Sequence, residues 1–258
     1  IENVDVKLDD WPVLKGTLYE GQKLIDLLNM KAGDQKIIGE KYYRSDNRIK
    51  DQKDFNVNVY PIAKVMKSDI LQNTKKSSAI YNYNALATNT IMNYVIFKTG
   101  DDFQKLLNKV FKEDAKIKYS VFFHKTIRTR YLDQEKGEYG RYSFYAHRYD
   151  YLRIAKAVMD HWNNDTCVGK YLKTVYERRI NKNREGYNTQ SASQYSKKYG
   201  GQFHFDIIGL TKRKILAMDG FGGQQIIIDF DKERIIVVNS RDRHYNWKKI
   251  VHKKLKQK

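Results

Sequence analysis

An α+β fold, with an antiparallel sheet flanked by helices and joined to a helical region, is predicted by three features of the sequence. Apolar residues recur at helical spacing in several separated stretches of the first two thirds of the 258 residues. From Gly200 onward short runs rich in β-branched residues take over, and the final "NWKKIVHKKL" returns to a helical stripe. At 41% hydrophobic and 13% aromatic, the chain has the material for a sizeable core. The helical region is placed at about residues 20–180 and the sheet with its C-terminal helix at about 200–258.

Each element follows from its local pattern. In "EGQKLIDLLNM", Leu24, Leu27 and Leu28 share a helix face, and Gly33 stands where a stop belongs. Residues 34–78 are polar and irregular around the apolar island "VNVYPIAKVM" and read as a long surface excursion. A longer helix is predicted from about Ala85 to Lys98, stopped by Gly100, with Asp101 or Asp102 placed to cap the next one. That helix, "DDFQKLLNKVF", carries Phe103, Leu106, Leu107, Val110 and Phe111 as a stripe. "YDYLRIAKAVMDHW" repeats the pattern with Leu152, Ala155, Met159 and Trp162, and Asp150 is expected to be its N-cap, paired with an arginine. The polar stretch 181–198 reads as a loop. "QFHFDIIGL", "KRKILAM", "GQQIIID" and "RIIVVNS" then read as successive antiparallel strands, with His204 packed in the core. Trp247, Ile250, Val251 and Leu255 share one helical face with lysines opposite, so the last helix is expected to cover one side of that sheet.

The formal net charge of +19 is the largest compositional signal. "HKTIRTR", "ERRINKNR" and "WKKIVHKKLKQK" could line an anionic partner such as nucleic acid or lipid headgroups. The lysines are nevertheless spread along the whole chain, which speaks against nucleic-acid binding as the main role. The single cysteine, Cys167, excludes an internal disulfide and is expected to be a small buried hydrophobe. No apolar run is long enough to span a membrane, and no His, Cys or carboxylate cluster has metal-ligand spacing.

Three glycines in four positions, Gly220, Gly222 and Gly223, stand immediately before the apolar "QQIIID". Glycine weakens a strand, so the cluster either shapes a turn or clears space for something to approach the backbone. A second stretch, "IYNYNALATNTIMNYVIFKTGDDF", sets Tyr83-Asn84-Ala85 ahead of a helix that closes in Thr99-Gly100. With "LIDLLNMKAGD", "YAHRYDYLRIAKAVM" and "GFGGQQIIID" in the same order along the chain, this resembles the serine β-lactamase and penicillin-binding-protein superfamily. The branch it resembles holds class C β-lactamases, related esterases and nylon-oligomer hydrolases. The first stretch is similar to the family's Leu-Leu-x-Met-x-x-Gly helix end, the second to its Arg-x-Asp-x-x-Arg helix, and the third to its glycine-rich strand.

The resemblance implies a β-lactamase-like fold and a hydrolase for a small amide or ester, working through an acyl-enzyme without a cofactor. Tyr83 is then the proton shuttle, useful where nearby positive charge eases formation of its phenolate. The backbone N–H of Gln224 is one oxyanion donor, and Gly222 and Gly223 let substrate lie against the strand. Tyr83 and Gln224 are expected to face one cleft at about 10 Å or less. Phe221 stands where relatives carry lysine or histidine, and it offers a substrate carboxylate neither charge nor hydrogen bond. Ala85 replaces the polar residue that normally accompanies the tyrosine.

The family's nucleophile motif, Ser-x-x-Lys, occurs nowhere: no serine has a lysine three positions on. In the family it lies N-terminal to the Leu-Leu-x-Met helix. Two readings follow: the chain is the C-terminal part of a longer hydrolase whose serine precedes Ile1, or it is a non-catalytic module descended from one, binding nucleic acid or another polyanion. The first is the expectation carried forward, because a tyrosine and a glycine-rich strand have no evident use together without the serine.

Overall fold

The computed structural model describes residues 3–31, 81–83, 85–119, 122–126, 141–182, 192–220, 222–242 and 244–257. The chain divides into two compact units, Asn3–Gln104 with Phe122–Tyr145, and Lys105–Val121 with Ala146–Lys258. The predicted α+β class is the one observed. The expected stop at Gly33 and the excursion over 34–78 lie outside the described residues.

In the first unit, helix α1 spans Leu24–Leu28, and Leu24, Ile25, Leu27 and Leu28 are all buried. The chain leaves it at Met30, whose φ of 55° cannot continue a helix. Helix α2 (Ala85–Thr99) follows. The N-terminal segment is tied to it: Trp11 stacks on Phe97 at 5.9 Å, the Tyr94 hydroxyl donates to Asp10 Oδ1 at 2.9 Å, and Lys98 Nζ donates to Asp10 Oδ2 at 2.7 Å. Burial, together with the Asp10 carboxylate that accepts its proton, pushes the Tyr94 phenol up to about 12. Strands β1 (Phe122–Thr126) and β2 (Arg141–Tyr145) form an antiparallel hairpin, Phe122 opposite Tyr145. In the sequence this hairpin is hidden by the charge of "HKTIRTR", in which His124, Lys125 and Thr126 belong to β1.

Gly100, at φ 50°, ends α2 as predicted, and a 3₁₀ turn over Gly100–Asp102 leads into α3 (Phe103–Asn108). The apolar stripe expected from Phe103 to Phe111 is not core. Val110 is exposed, and Phe103, Leu106, Leu107 and Phe111 are only half-buried. From Lys109 to Asp114 the helix widens to π geometry, and the longer turn takes the stripe off one face.

The second unit has three layers. Helices α4 (Arg148–Asn163) and α5 (Cys167–Glu177) cover one face of a six-stranded antiparallel sheet. Its strands run in sequence order: β3 (Ile180–Asn181), β4 (Ser196–Gly200), β5 (Phe203–Ile207), β6 (Ile215–Asp219), β7 (Gln225–Asp229) and β8 (Arg234–Val238). The short α6 (Ala192–Tyr195) leads into β4. The other face is covered by a π-helical segment, Lys248–His252, continuing into α7 (Lys253–Lys256). Ala155, Met159, Trp162 and Leu172 pack with Phe205, Leu216, Ile226 and Ile228 on the first face; Trp247, Val251 and Leu255 pack with Ile207, Ile215, Ala217 and Ile227 on the second. Every residue of β7 is buried, which is why its three central residues, Ile226 to Ile228, are apolar without alternation. Asp206, at φ 54°, breaks the alternation of β5 and sends Phe205 and Ile207 to opposite faces.

Four expectations need correction. The stretch 181–198, read as a loop, contributes β4, whose buried Ser196, Tyr199 and Gly200 are masked in sequence by two lysines. Ile250 is 51% exposed, and the wider π spacing buries His252 in its stead. Cys167 is exposed rather than buried, at the first turn of α5, a helix not among those expected from the sequence. Asp150 is not the N-cap of α4: His147 is, its ring nitrogen accepting the Tyr149 N–H.

Candidate functional site

Tyr83 stands just ahead of α2 and is 55% exposed. The residue before it is fixed to the other family-like stretch of the first unit, since the Asn82 N–H donates to the Met30 carbonyl at 2.7 Å. The Leu-Leu-x-Met segment and the tyrosine segment, distant in sequence, therefore meet at this bond. Within α2, Thr90 Oγ1 donates to the Leu86 carbonyl and Asn93 Nδ2 to the Asn89 carbonyl, so these two buried side chains bond back to their own helix, while the buried Asn89 Nδ2 lacks a hydrogen-bond acceptor among the described residues.

The glycine cluster belongs to the second unit and closes the β6–β7 hairpin. The Gly220 N–H donates to the Gln224 carbonyl at 2.7 Å, and the Gly223 N–H to the Gly220 carbonyl at 3.0 Å. Gly223 has φ 89°, a conformation that costs glycine nothing. The Gln224 side chain folds over the turn, its Oε1 accepting the Gly222 N–H at 3.1 Å and its Nε2 donating to the Ser240 carbonyl at 2.7 Å. A Cβ on Gly222 would sit 2.5 Å from that Nε2. Turn chemistry alone thus accounts for two of the glycines, and the space expected for substrate at Gly222 is taken by the Gln224 amide. Phe221 lies outside the described residues. Tyr83 and Gln224 fall in different units, each described by itself.

Gln225, which the sequence reading passed over, is 2% exposed and organises the adjoining interior. Its Oε1 accepts from the Tyr245 hydroxyl at 2.8 Å and from the Trp247 indole, and its Nε2 donates to Asp219 Oδ1 at 3.0 Å. Burial and the Asp219 charge push the Tyr245 phenol well above its usual range.

Asp150, within the Arg-x-Asp-x-x-Arg pattern, has no exposed side-chain surface. Its two oxygens accept the N–H groups of Lys118 and Tyr119 at 3.0 and 3.1 Å, and Arg153 Nη1 at 2.7 Å. Burial by itself would raise this carboxyl, but the three donors outweigh it and hold it below the ordinary aspartate value. The paired arginine is Arg153, while the Arg148 guanidinium lies over the Tyr149 ring at 5.0 Å. Asp150 is thus a structural anchor between the segment ahead of β1 and α4.

A buried polar cluster not foreseen in the sequence joins β4 and β5 to the chain just past β3. Lys182 Nζ donates to Ser196 Oγ at 2.6 Å, and both atoms lie 3.4 Å from His204 Nδ1. A serine beside a lysine has the composition of an activated nucleophile. Here Ser196 is 0%, Lys182 1% and His204 6% exposed, so no substrate carbonyl reaches the hydroxyl. The cluster serves to tie the sheet edge together, consistent with the core role expected of His204.

Among the described residues, no group of three or more His, Cys, Asp or Glu side chains is placed to hold a metal ion, and no helix is long and apolar enough to cross a membrane. No protein-family model and no curated protein matches the chain.

Proposed function

We propose that this chain is part of a serine hydrolase with a β-lactamase-like fold, cleaving an amide or ester through an acyl-enzyme. The observation that carries the reading is the Asn82–Met30 backbone bond, which holds the tyrosine segment against the Leu-Leu-x-Met segment while Tyr83 stays exposed. The antiparallel meander covered on one face by the terminal helix, with a glycine hairpin entering the interior strand β7, supports the same reading. Since no Ser-x-x-Lys is present, the nucleophile of this reading is carried by polypeptide outside the 258 residues.

In this mechanism the serine attacks the substrate carbonyl, Tyr83 passes the serine's proton to the leaving group, and two backbone N–H groups stabilise the oxyanion. Water then cleaves the acyl-enzyme. Phe221, lacking charge, favours an uncharged acyl or alkyl group over a carboxylate at that end of the substrate. The test is ester turnover by the polypeptide that includes the nucleophile. Tyr83→Phe lowers kcat by roughly 10²–10⁴ with KM little changed; turnover equal to that of the unsubstituted protein removes Tyr83 from the mechanism.

A further inference from the structure

We propose that the outer face of the C-terminal helical segment binds the surface of an anionic lipid bilayer. Residues Trp247–Lys258 hold six lysines and no carboxylate side chain. The inner side of the segment is fully used, with Trp247, Val251, His252 and Leu255 buried against the sheet. Its last carbonyls are also fixed. Arg213, itself paired with the buried Asp229, donates from Nη1 to the Leu255 carbonyl at 2.6 Å, and Arg234 Nη1 donates to the Lys254 and Gln257 carbonyls at 2.6 and 3.2 Å. The segment cannot turn its charges inward. Lys248, Lys249, Lys253, Lys254 and Lys256 are all exposed, and Ile250 stands among them 51% exposed.

Three features favour lipid headgroups over nucleic acid as the partner. The outward cations are lysines, compact point charges that meet phosphates without a fixed geometry, whereas nucleic-acid recognition draws on the planar fork of arginine. Ile250 puts an apolar side chain in the middle of the basic face, the mixture that settles at a bilayer interface. None of the exposed residues from Lys248 to Gln257 is aromatic, so no ring is offered for base stacking. Each lysine near an anionic leaflet adds attraction that fades over about 10 Å at 0.1 M salt, so binding is reversible and salt-sensitive. The proposal is independent of the hydrolase reading.

The test uses the whole 258-residue chain and vesicles of phosphatidylcholine, with or without phosphatidylserine. The chain is expected to sediment with the phosphatidylserine vesicles and not with phosphatidylcholine alone. Substituting Lys249→Gln together with Lys253→Gln lowers partitioning roughly twenty-five-fold, about fivefold per lysine, with an unchanged thermal midpoint. Ile250→Ser weakens vesicle binding and leaves any DNA binding untouched. Equal binding to both vesicle types, or wild-type partitioning by the double variant, overturns the proposal. So does retention on single-stranded DNA at about 0.2 M salt without vesicle binding, which assigns the face to nucleic acid.

Discussion

Asp150 shows how a single side chain can hold two segments that sequence keeps apart. It accepts two backbone N–H groups from residues 118 and 119 and one guanidinium donor from its own helix, all without exposure to water. The sequence marked this residue as special, since an aspartate at a helix start facing an arginine is a recognisable pattern. It could not show that the partners would be distant backbone amides, because no local periodicity encodes a contact across some thirty residues. Asp150→Asn is expected to lower stability at neutral pH by about 1–3 kcal/mol, the cost of leaving buried donors poorly matched. The sign of the pH dependence follows from a folded carboxyl held below the aspartate value of 3.8. Its contribution is present above that value and is lost as pH falls through the lowered folded value. Thermal midpoints of the two proteins therefore differ at pH 7 and converge on acidification; a difference independent of pH contradicts the assignment.

At the level of elements, α4 and α5 meet backbone to backbone. A Cβ on Gly169 would come within 1.9 Å of the His161 carbonyl, and the junction is capped by Thr166, whose Oγ1 accepts the Gly169 N–H and lies 2.8 Å from His161 Nδ1. Gly169→Ala is expected to cost roughly 1–3 kcal/mol in urea unfolding, because the helices must separate to admit the methyl group. Gly16→Ala, where nothing lies within 4 Å of the added carbon but φ is 78°, tests backbone strain separately. A neutral Gly169→Ala variant rejects the close crossing. Elements were legible where burial and period coincide, as in α4 with Ala155, Met159 and Trp162 and in the four strands from Phe203 to Val238. They were illegible where polar residues sit in buried registers, as in β4, or where geometry departs from 3.6 residues per turn, as in the π segments that expose Val110 and Ile250.

For the whole molecule, the strand run and the terminal helix over one side of the sheet were readable from the sequence, whereas the second covering layer, which includes the unassigned α5, was not. The candidate site was legible only in part. Tyr83 stands exposed ahead of its helix, whereas the glycines have a turn to form and the Gln224 side chain to accommodate. A glycine cluster reports a backbone requirement without naming its cause. The proposed function is that of a serine hydrolase whose nucleophile lies outside these 258 residues. Fluorophosphonate labelling followed by intact-mass measurement tests it most directly. The 258-residue chain alone is expected to gain no adduct, and the polypeptide extended to include the nucleophile is expected to gain one per molecule. Labelling of the chain alone, or none of the extended protein, would contradict the account.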